Sequence, residues 1–220
     1  MSAKSDIHSR LEGGLADPFL CPDEAVRRLD SWRVSGIGAA VAPPGLWAAI
    51  QYAPPKPRRI GAVAFPSGGQ TITSKRVEVL ECVRLGLCAA EIVLNHGYIA
   101  GNQWGDVEKE MEALLRTAPE LEIRFTIEWG RVESDTKKRF IRLLRDFPPK
   151  ALRVATGVYG TPLGSREVSA LRAMLPKGVG LKAVASRGGA SAAEYLDAGA
   201  DLAESETPLA ERSETVAVNE

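Results

Sequence analysis

Short, nearly continuous apolar runs recur along the chain, separated by longer stretches whose apolar residues repeat every three or four positions. The runs GIGAAVA (36–42), RIGAVAF (59–65), AAEIVLN (89–95), EIRFTIEW (122–129), ALRVA (151–155) and VGLKAVA (179–185) predict strands buried on both faces. Two weaker runs, GLADPFL around residue 18 and ADLAE around residue 202, complete a set of eight. Between them, shared faces predict helices: Val26, Leu29 and Trp32; Val77, Leu80 and Val83; Val107, Met111, Leu114 and Leu115; Phe140, Ile141 and Leu144; Val168, Leu171 and Leu175. Ser191 and Glu194 have the spacing of a capping box, which predicts the start of the last helix. Strands alternating with helices in this number predict a (β/α)₈ barrel. An open flavodoxin-like sheet has the same periodicity, because the pattern does not say whether the sheet closes. The barrel is expected over residues 15–205, with 1–14 a mobile N-terminus and the polar tail 206–220 disordered and acidic.

Composition narrows the function classes. Lys and Arg number 28 against 28 Asp and Glu, so nothing drives the chain toward nucleic acid or an anionic membrane. No apolar run reaches spanning length, and the opening MSAKSDIHSRLEGG lacks an apolar signal core, so a cytoplasmic location is expected. Cys21, Cys82 and Cys88 show no CxxC spacing and read as reduced, mostly buried thiols. With two histidines, His8 and His96, no metal centre and no cofactor are expected. His96 follows the fourth predicted strand and reads as a solvated loop residue.

The segment FPSGGQTITSK (65–75) leaves a strand, turns through a glycine pair and enters a helix, as functional rims of barrels do. It resembles the FPxG…T…K signature of the deoxyribose-phosphate aldolase family. The resemblance continues in order. GLCAAEIVLNHG (86–97) is similar to the family's GADEIDMVINIG, and YIAGNQWGDVEKEM (98–111) to ALKSGDYEAVEEDI. ATGVYG (155–160) resembles the TSTGF turn, GLKA (180–183) the GVKA strand, and YLDAGAD (195–201) MIEAGAT. PDEAVRRL (22–29) resembles the family's first helix, so the likeness covers roughly residues 15–205.

Membership implies a class I aldolase that cleaves 2-deoxyribose 5-phosphate to glyceraldehyde 3-phosphate and acetaldehyde through an imine. A lysine on the sixth strand forms the imine, a second lysine on the seventh depresses its pKa, and a carboxylate on the fourth relays protons. Here the carboxylate position falls on Glu91 and the second lysine on Lys182. Aligning ALRVATG with the family's FVKTSTG puts Arg153 at the nucleophile, where a permanently protonated guanidinium cannot form a carbinolamine. The phosphate contacts carry over to Thr156, Gly157, Gly188, Gly189 and Ser205, with Arg187 added. Glu204 and Glu206 flank Ser205 and would repel a phosphate. On the first strand, Ala16 or Asp17 takes the position of a family aspartate. Two readings stay open. In one, imine chemistry has moved to Lys182, with Arg153 lowering its pKa and Glu91 relaying protons for a small carbonyl or sugar-like ligand. In the other, the barrel is a pseudoenzyme that binds or regulates. The family's habit of pairing through outer helices raises a homodimer as an expectation.

Overall fold

The computed structural model describes residues 3–50, 57–159, 163–186 and 189–206. In chain order the elements are α1 (Ala3–Arg10), β1 (Leu11–Gly14), α2 (Pro22–Ser35), β2 (Ala39–Ala42), α3 (Pro44–Ala49), β3 (Arg58–Val63), α4 (Ile72–Arg84), β4 (Ala89–Val93), α5 (His96–Ala100), α6 (Trp104–Leu115), β5 (Glu122–Thr126), α7 (Ser134–Asp146), β6 (Ala151–Arg153), α8 (Ser165–Met174), β7 (Gly180–Ala185), α9 (Ala192–Asp197) and β8 (Leu202–Ser205). A 3₁₀ turn, Trp129–Arg131, lies between β5 and α7. All eight strands are parallel and pair in sequence order, and β1 pairs with β8, for instance Glu12 opposite Glu204. The sheet therefore closes, which excludes the open alternative. Among the described residues no helix is long and apolar enough to cross a membrane.

Seven of the strands lie in the runs that predicted them, β3 starting one residue before its run and β8 ending one residue after. The first does not. It is Leu11–Gly14, upstream of GLADPFL, so the barrel begins inside the stretch expected to be mobile. LEGG carries no apolar run, and closure between β8 and β2 supplies the pairing that local preference does not. Gly13 is required there by close approach. A Cβ at this position would sit 2.2 Å from the Trp32 ring of α2. Of the tail, residues 207–220 lie outside the described residues.

α2, α6, α7 and α8 bury against the sheet the faces their spacing predicts. The Ser191–Glu194 capping box opens α9. α4 is turned the other way. Val77, Leu80 and Val83 are exposed, and Lys75, Val79 and Cys82 face inward. Two contacts explain the rotation. Gly61 of β3 has no side chain, and a Cβ there would lie 2.3 Å from Cys82 Sγ, so the helix seats against bare backbone. Lys75 is drawn inward by acceptors described below. Of the cysteines, Cys82 is buried, Cys88 half-buried and Cys21 exposed.

The core has two parts. The larger fills the space between sheet and helices. A smaller apolar cluster inside the barrel, Ala39, Val41, Ile60, Ala62 and Ala89, comes only from β2, β3 and β4. Six charged side chains share the interior with it.

Candidate functional site

Side chains alternate along a strand, so every second residue of a barrel strand enters the interior. On β1, β4, β5, β6, β7 and β8 those positions bring Glu12, Glu91, Arg124, Arg153, Lys182 and Glu204 together, each buried to within 4 % of full enclosure. Lys182 is at the centre. Its Nζ lies 2.6 Å from Glu12 Oε2, 2.6 Å from Glu91 Oε1 and 2.5 Å from Glu204 Oε2. Arg124 Nη1 bridges Glu12 Oε1 at 2.9 Å and Glu91 Oε1 at 3.1 Å. Arg153 Nη2 donates to Glu204 Oε1 at 2.6 Å and to the Thr156 carbonyl at 3.3 Å. Its Nε and Glu91 Oε2 lie 3.7 Å apart, neither with a hydrogen-bond partner. Three carboxylates thus meet three cations, and the cluster is formally neutral.

The geometry decides the protonation states. Burial pushes the Lys182 ammonium down, yet Glu12, Glu204 and Glu91 outweigh both burial and Arg153 and leave it above its ordinary 10.5. Burial likewise pushes the Glu12 carboxyl up, and Lys182 and Arg124 overcome it and hold Glu12 at about 2. Burial also opposes the charge on Arg124, which Glu12, Glu91 and Glu122 more than restore. The three carboxylates could in principle hold a cation together, since one oxygen of each lies within 4.8 Å of the others. Lys182 Nζ already takes that place.

A second buried pair fixes the rim. Lys75 Nζ donates to the carbonyls of Gly68 at 2.6 Å and Val93 at 2.7 Å and to Glu110 Oε1 at 2.5 Å. Glu110 Oε2 then accepts from the Asn95 amide at 3.0 Å. Glu78 accepts from the amide of Ala64, whose φ is +56°. The lysine of FPSGGQTITSK therefore ties the loop after β3 to the end of β4 and does not face the interior.

No protein-family model matches the chain. The deoxyribose-phosphate aldolase of Natronomonas pharaonis is 26 % identical over 194 residues, 88 % of this chain and 87 % of that protein. The enzyme of that name from Histophilus somni is 23 % identical over 121 residues, so this match spans about half the length of either protein, 55 % and 54 %. Among solved structures, the deoxyribose phosphate aldolase of Aeropyrum pernix superposes with a TM-score of 0.85 at 19 % identity, covering 98 % of this chain and 94 % of that one. Another solved structure, an aldolase, gives 0.86 at 18 % identity over 98 % and 99 %. The chain is a diverged relative of the deoxyribose-phosphate aldolases.

Set against the deoxyribose-phosphate aldolase pattern, the three interior positions carried over by resemblance do converge. Arg153 and Lys182 are direct partners across β6 and β7, and Glu91 reaches both. Two members of the cluster are absent from the sequence expectation. Glu12 belongs to β1, not Ala16 or Asp17, and was hidden by the misplaced strand. Arg124 carried the same signal as Lys182, a lone charge in an apolar run, and was legible. Glu204 also moves. It points into the barrel and neutralises Lys182 and Arg153, so it is not a repulsive group at the phosphate end. Alternation along β8 turns Glu204 inward, and the strand ends at Ser205, so Glu206 lies beyond it and is exposed.

The phosphate positions are only partly assembled. The Thr156 amide donates to Glu128 Oε1 at 2.8 Å, and its hydroxyl makes a very short hydrogen bond to the same oxygen. Thr156 therefore spends both donors inside the protein. Gly157 has φ +83°, which opens the turn after β6. The Gly189 amide donates to the Ser186 carbonyl at 3.0 Å, and Ser205 is buried at the end of β8. Arg187 and Gly188 lie outside the described residues.

Proposed function

We propose that this chain uses the aldolase barrel as a small-molecule-binding scaffold and forms no imine in its interior. One observation carries the reading: Lys182 Nζ sits within 2.6 Å of three carboxylates and is fully buried. Imine formation needs a lone pair on nitrogen to attack the carbonyl carbon, with one proton lost from the amine and water leaving afterwards. An ammonium ion held by three carboxylates has no lone pair to give and no open side for a carbonyl to approach. Arg153 has no neutral form at accessible pH. Both positions that could carry the chemistry are thus closed, and the parent cleavage of 2-deoxyribose 5-phosphate is not expected.

The opposing reading, imine chemistry at Lys182, is favoured by one fact. Arg153 is its neighbour on β6 and does push the ammonium down. That effect is smaller than burial and smaller than that of each of the three anions, which outweigh it. Borohydride reduction in the presence of acetaldehyde, followed by peptide mapping, separates the two. The binding reading expects no alkylation at Lys182 and no cleavage of deoxyribose 5-phosphate above a blank. An adduct at Lys182 that Lys182→Ala removes would overturn it.

A further inference from the structure

Outside the charged interior, one cavity opens at the C-terminal ends of β4, β5 and β6. It measures about 430 Å³ and is lined by His96, Ile99, Glu128, Val132 and Tyr159, among others. This is the rim at which barrels of this kind place their ligand contacts. Its polar groups are incompletely used. His96 Nε2 is buried without a hydrogen-bond partner. Burial also pushes the imidazole below its ordinary value, with Glu128 opposing, so the ring is neutral at physiological pH. In the aligned motif GADEIDMVINIG this position is isoleucine, so the histidine brings a polar atom to a place the resemblance leaves apolar. Glu128 is 4 % exposed, and its Oε1 is occupied by Thr156. Among the described residues no ion pair joins it, in contrast to every carboxylate of the interior cluster. Arg131 and Glu133 also line the cavity, both exposed and opposite in charge, and among the described residues neither forms an ion pair with Glu128.

A buried carboxylate without a counter-charge is costly, and a ligand that supplies the charge recovers that cost on binding. The imidazole offers a second hydrogen-bonding atom beside it. Ile99 and Val132 provide apolar wall, and the Tyr159 ring is 43 % exposed and available to a cation. We infer that this rim cavity binds a small organic monocation, a primary ammonium on an apolar or aromatic body, through Glu128 and His96. The inference is independent of whether Lys182 can form an imine.

The probe is benzylammonium, compared with its neutral isostere benzyl alcohol and with benzoate. The full-length protein is titrated while the ring ¹⁵N signals of its two histidines are followed. His96→Asn assigns the resonance. Saturable benzylammonium binding should shift the His96 signal, with an affinity about tenfold or more above that of benzyl alcohol, as expected for a charge-assisted contact. Glu128→Gln keeps an acceptor for Thr156 and should abolish the preference for the ammonium. Equal affinity for the alcohol, tighter benzoate binding, or an unmoved His96 signal at saturation would overturn the proposal. If Glu128→Gln fails to fold, the three-ligand comparison on the unaltered protein decides alone.

Discussion

Six side chains set the character of the barrel interior, and each is held by the others. Lys182 neutralises parts of three carboxylates, so replacing it leaves excess negative charge in a closed space. Lys182→Met should destabilise the fold by about 3–5 kcal/mol in urea unfolding, the usual effect of breaking a buried ion pair from one side. Adding Glu12→Gln should cost less than the sum of the two single changes, because the second removes a charge the first left unpaired. Acid stability follows from the same contacts. Glu12 is lowered from 4.5 to about 2, so its contribution is complete above 4.5 and disappears as pH falls toward 2. The interval is worth about 3 kcal/mol. The unfolding midpoint measured across that window should fall steeply in the native chain and less steeply in Glu12→Gln. Glu91 and Arg153 could be placed through the family resemblance, and Lys182 also because a lone lysine interrupts an apolar run. Glu12 could not, because LEGG contains no run to interrupt.

Elements are positioned by two kinds of local exception, missing side chains and inward charges. Gly13 admits the Trp32 ring to β1, and Gly61 admits Cys82 of α4 to β3. Gly13→Ala should therefore lose about 1–3 kcal/mol by thermal or urea unfolding, with partial rescue by Trp32→Leu. Lys75 gives α4 its rotation and stitches three rim segments together through Gly68, Val93 and Glu110. Lys75→Met should cost about 3–5 kcal/mol and speed amide exchange at Gly68 and Asn95, whose backbone groups belong to that clamp. Unchanged exchange there would mean the loop is held by other contacts. These features also mark the limit of pattern reading. Periodicity predicts that α4 is amphipathic, but Val77–Leu80–Val83 and Lys75–Val79–Cys82 are both regular stripes. The tertiary acceptors for Lys75 and the bare Gly61 backbone beneath Cys82 select between them. Glycines in β1 conceal a strand for a related reason: what fits against them is a side chain from a distant helix.

At the scale of the whole molecule, closure of the sheet turns separate lone charges into one neutral cluster. The alternation of eight buried runs with helices made an α/β fold legible, and collinear motifs, resembling the deoxyribose-phosphate aldolases, favoured the closed barrel over an open sheet. The state of the interior was not legible, since it depends on which side chains β1, β5 and β8 add opposite Lys182. Glu12 and Glu204 are the two anions that do most to raise the Lys182 ammonium. The binding role proposed for the barrel therefore turns on the charge of one nitrogen. Direct observation of Lys182 by ¹³Cε and ¹⁵Nζ NMR, assigned through Lys182→Arg, reads that charge as pH is raised. We expect an ammonium ion through neutral pH that titrates only above 10.5. A Lys182 that is a neutral amine near neutral pH would contradict it and return the imine reading to first place.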